Sequence, residues 1–206
     1  MHPSDISSDP VDPNPAIRRF AHAWSAGPIG LAKLLPEVSA LHTSCLANVQ
    51  AKVERDGGQI TYGWTFLLRF APDFGHYLVA THHAVWHSSR DMSLVDVTPF
   101  HPESRHQPIT QRGDTLFLVD QCAHPARVGN VVSPLPSRFF PVDPGPAIDS
   151  YLVELARKEE QECRDHVERL LRTQGRDGDA YKPIDTERQL QEAVSPRVLS
   201  SGQFQR

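Results

Sequence analysis

ITYGWTFLLRFAPDFGHYLVATHHAVWH, residues 60–87, carries the clearest pattern in the chain. Ile60, Tyr62, Trp64, Phe66, Leu68 and Phe70 alternate with Thr61, Gly63, Thr65 and Arg69, and Leu67 is the exception. A period of two, with aromatic and branched residues on one side, predicts a half-buried strand. Residues 72–75 read as a turn, and residues 77 to about 87 as a second strand. The polar segment 88–91 joins that strand in a hairpin to a third at 94–97, and residues 115–120 make a fourth.

Helical patterns surround these strands. Residues 16–26 read as a short helix with Phe20 and Trp24 at i and i+4, stopped by Gly27 and Pro28. Residues 29–35 are a second short apolar segment, ended by Pro36. Residues 43–55 read as a helix that Thr43 or Ser44 can cap and Asp56-Gly57-Gly58 stops; Cys45, Val49 and Val53 share one face. Residues 121–147 are rich in Pro and Gly, with an apolar patch at Phe139-Phe140, and residues 148–174 are helical again. Residues 1–15 hold little that could be buried and read as disordered; residues 176–206 read as a polar tail. The expectation is one α+β domain over 16–175, an antiparallel sheet packed against helices.

Composition narrows the function. The chain has 206 residues, 39% hydrophobic, enough for one ordinary core. Its 21 basic and 25 acidic residues give a net charge of −4, against a nucleic-acid binder or a polybasic membrane surface. No apolar run is long enough to span a bilayer, and the first residues lack the features of a secretory signal. The expected location is therefore the cytoplasm, with Cys45, Cys122 and Cys163 reduced. Eleven histidines beside three cysteines argue against a disulfide scaffold and leave thiol or metal chemistry open.

Cys45 stands in the first turn of its predicted helix, where free backbone N–H groups and the positive end of the helix dipole stabilise a thiolate. The same groups can hold an oxyanion on an attacked carbonyl. The plain alternative is a small core residue beside Val49 and Val53. The hairpin adds a partner. If Ser88 pairs with Asp91, the register carries back to place His83 directly opposite Asp96 on one face. A carboxylate there holds one ring nitrogen and leaves the other for a nucleophile. A slip of one residue would remove the match. His82 points to the other face with Ala84 and Trp86 and reads as structural; His87, on the His83 side, reads as a solvated group. An exposed strand acid is the plain reading of Asp96. Asn48, one turn after Cys45, is either a neighbour of the site or a surface residue.

The order Cys45, then His83-Ala84-Val85-Trp86, then Leu94-Val95-Asp96-Val97-Thr98-Pro99, with Gly63-Trp64 between, resembles the core of transglutaminase-like proteins within the papain-like cysteine-enzyme fold. The resemblance covers about residues 40–100. Val85 is extra relative to the usual His-Ala-Trp, and Val97 stands where Pro is common. The resemblance implies Cys45 as nucleophile, His83 as general base and acid, and Asp96 as the acid that orients it. It implies a thiol hydrolase or acyltransferase acting on a peptide or amide substrate, with no cofactor and no metal. Trp24, His42 and Thr43 are candidates for an oxyanion-hole side chain.

Two rival readings remain. His76, His82, His83, His87, His101 and His106 fall close together, and a strand could turn two imidazoles toward one metal, although no Cys-x-x-Cys or His-Glu-x-x-His motif is present. A binding module could also keep the fold without turnover, using the charged helix face at 157–172.

Overall fold

A computed structural model describes residues 8–10, 15–42, 44–100, 113–128, 131–133 and 135–174. The two strands expected at 60–70 and 77–87 are its backbone: β3 (Gln59–Ala71) and β4 (Gly75–His87), 13 residues each, pair antiparallel along their whole length. Their turn holds Gly75 at φ 94°, a left-handed value that favours glycine.

The other elements, in chain order, are β1 (Ser8–Pro10), α1 (Pro15–His22), β2 (Ile29–Leu34), α2 (Cys45–Asp56), β5 (Leu94–Asp96), β6 (Asp114–Val119), β7 (Ala126–Val128), β8 (Val131–Ser133), β9 (Arg138–Pro141) and α3 (Pro146–Gln174). The fold is α+β with a mostly antiparallel sheet, as expected. The one parallel pairing among the described residues, β2 with β5, sets Lys33 beside Val95 and Leu34 beside Asp96.

The pairings close on themselves. β3 pairs β6, β6 pairs β2, β2 pairs β5, β5 pairs β4, and β4 returns to β3. Ala32, Val85 and Phe117, each fully buried, meet across this five-strand ring with Leu94 and Val119 packed on them. Beyond the ring the long hairpin continues alone, with β1 on the β3 edge and β9 on the β4 edge. α1 covers the outer face at Trp64, Phe66, Ala80 and Leu118. α2 covers Ala84, Val95 and Val97 through Val49, with Cys45 and Val53 beside it. α3 packs on the opposite face of the hairpin, Ile148 and Leu152 against Tyr77, Val79 and Phe139.

Two expectations change, and two segments given no element gain one. Residues 8–10 are a strand rather than disordered, because edge pairing needs backbone groups, not apolar side chains, and an edge tolerates Pro10. The rest of 1–15, apart from Pro15 at the start of α1, lies outside the described residues, as does 176–206. The apolar segment 29–35 is β2, and 121–147 contributes β7, β8 and β9 rather than loop alone. The hairpin register also differs. Trp86 pairs Val95 and His87 pairs Leu94, so the loop runs from Ser88 to Ser93, not Ser88 to Asp91. The Ser88 N–H bonds the Ser93 carbonyl at 3.0 Å and Met92 adopts φ 57°. Continuing this ladder puts Asp96 level with Val85, so His83 is its diagonal rather than its direct neighbour. The slip is two residues, which keeps both side chains on one face.

Candidate active site

β4 changes partner along its outer edge. Residues 77–80 pair β9 and residues 86–87 pair β5; among the described residues no strand pairs the edge at 81–85. The start of α2 enters at this gap. Cys45 is the first residue of the helix, and its sulfur meets both the His83 ring and the Ala84 backbone N–H. Ser44 stands at the N-cap but its side chain makes no cap hydrogen bond, so the hydroxyl leaves the helix-start N–H groups to other partners.

His83 joins the two other groups. Its Nε2 lies 2.9 Å from Asp96 Oδ2, with 15% of the His83 side chain and 5% of the Asp96 side chain exposed. With Nε2 held by the carboxylate, Nδ1 is the ring nitrogen left for the thiol. The second Asp96 oxygen, Oδ1, accepts the Thr98 backbone N–H at 3.0 Å. The carboxylate is thereby fixed in rotation, and β2 and β4 flank its strand on either side.

The electrostatics favour a charge-separated pair. Burial alone pushes the Cys45 thiol up, but the hydrogen bond and charge of His83 and the Ala84 N–H bring it below its ordinary value. Burial opposes charge on His83 as well, yet the Asp96 charge and hydrogen bond, with the Cys45 contact, raise the imidazole above its ordinary value. Each group therefore stabilises the ionised form of the other. The other thiols are placed differently. Cys122 is exposed. Cys163 is pushed up to about 11, first by burial and then by Glu159, Glu162 and Glu160.

The remaining candidates separate. His82 faces the outer side: Nε2–H donates to the Ala123 carbonyl at 2.8 Å and Nδ1 accepts the Leu135 N–H at 3.2 Å. Trp24 packs with Phe20, Trp64 and Phe66 in the α1 core, so it does not serve the thiol. His42 Nδ1 lies 3.4 Å from the Pro99 carbonyl. Thr43, His101 and His106 lie outside the described residues. Among the described residues, no group of three or more His, Cys, Asp or Glu side chains could hold a metal ion. No helix there is long and apolar enough to cross a membrane.

Sequence reading left Asn48 open and gave Thr98 no role of its own. Asn48 Nδ2 donates to Thr98 Oγ1 at 3.2 Å, a contact between residues fifty positions apart that no local pattern could signal. Comparison with protein-family models, curated proteins and solved structures found no match to the chain.

Proposed function

We propose that the protein is a cysteine-dependent amide-bond enzyme, of the transglutaminase-like or papain-like kind, that works through an acyl-thioester. The observation that carries this reading is His83 held between a thiol at a helix start and a buried carboxylate. In the proposed reaction the Cys45 thiolate attacks the carbonyl carbon of a peptide or carboxamide. The oxyanion that forms lies beside the N–H groups of the first turn of α2. His83 gives its proton to the departing amine or ammonia, leaving the acyl group on sulfur. Water, deprotonated by His83, then releases the acid, or an amine takes the acyl group. Asp96 keeps the ring oriented and favours its protonated form.

Limiting iodoacetamide followed by peptide mass spectrometry tests the thiol. Cys45 is expected to be labelled before Cys122 and Cys163 near neutral pH, and His83→Ala to slow Cys45 roughly tenfold or more. Equal labelling of the three cysteines would defeat the reading. Incubation with peptide-amide and glutamine-amide libraries, followed by trapping of the acyl group on Cys45, would then separate hydrolysis from transfer.

A further inference from the structure

We propose that Asn48 is a positioning residue that, together with Thr98, locks Cys45, His83 and Asp96 into one geometry. This rests on the catalytic reading of Cys45, His83 and Asp96 given above.

An Asn side chain offers one acceptor and two donors, and here all are used. Oδ1 accepts the Leu41 N–H at 2.9 Å, and Nδ2 donates to the Leu41 carbonyl at 2.8 Å and to Thr98 Oγ1 at 3.2 Å. Asn is a poor residue for a helix interior, because its amide competes for backbone groups. In α2 that tendency is directed outward, onto two other segments. The pair of bonds to Leu41 holds the chain just before the helix and so sets how Cys45 enters its first turn. The bond to Thr98 reaches the segment just after Asp96.

The contacts form a closed circuit. Cys45 meets His83; His83 meets Asp96 at 2.9 Å; Asp96 Oδ1 meets the Thr98 N–H at 3.0 Å; Thr98 Oγ1 meets Asn48; and one turn of α2 leads from Asn48 back to Cys45. A hydrogen bond is short and directional, so fixing Thr98 fixes the carboxylate, and the carboxylate fixes the ring. Without the Asn48–Thr98 link, the helix and the Asp96 segment keep the apolar packing of Val49 on Val95 and Val97 but lose the directional bond that fixes Thr98, and the sulfur-to-ring geometry is free to relax.

The experiment is the rate of Cys45 alkylation by iodoacetamide as a function of pH, with thermal melting in parallel. Thr98→Val removes the link to Asn48 while keeping the side-chain shape and the Thr98 N–H. It should slow alkylation at pH 6.5 by roughly three- to tenfold, the size of one lost hydrogen bond, and move the midpoint of the profile upward. Thr98→Ser, which keeps a hydroxyl, should recover most of the rate. Asn48→Ala should act in the same direction, and the double variant should be little worse than the poorer single, because both cut one circuit. Lower melting temperatures with an unmoved pH profile, or fully additive effects, would overturn the proposal and leave the triad standing. Wild-type Cys45 reacting like an ordinary thiol would overturn both. Should Asn48→Ala not fold, the two Thr98 variants decide the matter alone.

Discussion

At His83 two opposing tendencies meet, and their balance can be measured. Burial disfavours the imidazolium, while Asp96 and Cys45 favour it and win. Asp96→Asn removes the largest favourable contribution and leaves burial in place, so the His83 titration, followed by its ring-proton NMR signal, should fall from above the ordinary 6.5 to a lower pH. An unmoved titration would mean that the carboxylate does not hold the ring charged. Stability follows the same sign. A histidine raised in the folded state stabilises fully below its unfolded pKa and loses that contribution as pH rises through the folded value. Cys45, lowered by His83, should in turn react at lower pH than a free thiol. Little of this pairing was fixed by the residues alone. The order of Cys45, His83 and Asp96 and their shared face were legible. The diagonal placement was not, because it depends on Ser88 and Ser93 closing a loop of six residues rather than four.

At the level of the strand, β4 separates two histidines of opposite behaviour. His82 is pushed down to about 4, chiefly by burial, although the Ala123 carbonyl works the other way. It acts as a neutral staple, tying β4 to the segments at Ala123 and Leu135. A histidine depressed in the folded state contributes stability above its unfolded pKa and loses it as pH falls. The window here is therefore from 6.5 down to about 4. The full shift corresponds to roughly 3 kcal/mol. Denaturant unfolding at pH 7 and pH 4.5 should show this loss in the wild type, and His82→Gln, which can still donate and accept, should flatten it. Equal pH slopes in the two proteins would sink the assignment. Alternation made β3 legible and the turn before Tyr77 marked the start of β4, although helices cover both faces of the hairpin that the two strands form. β2 escaped the same reading because only Ala32 of its six residues is buried, while Gly30 and Leu31 are exposed. The strand is held by neighbours on both sides, which no count of apolar residues along it can show.

Across the molecule the decisive contact is the closing of the ring, and Gly63 is where it closes. Gly63 pairs His83 on one side and Val119 on the other. A Cβ there would overlap the Leu118 carbonyl oxygen and stand 2.7 Å from the Phe117 ring. Backbone atoms cannot yield as a flexible side chain does. Gly63→Ala should therefore destabilise the protein by roughly 2 kcal/mol or more, read by chemical unfolding. Gly30→Ala is the control, because nothing lies within 4 Å of its added methyl group. The same loss at both positions would show that the effect belongs to chain entropy rather than to crowding. The overall class was legible from the strand and helix patterns; the ring was not, because β6 reaches β3 and β2 across long stretches of intervening chain.

That closure also has an order in time. Cys45, His83 and Asp96 lie within residues 45–96, but Asp96 is braced by β2, and β2 is joined to β3 through β6, residues 114–119. A chain emerging from the ribosome therefore carries Cys45, His83 and Asp96 before it carries the strand that closes the ring. Until β6 has been made and inserted, the ring stays open between β2 and β3.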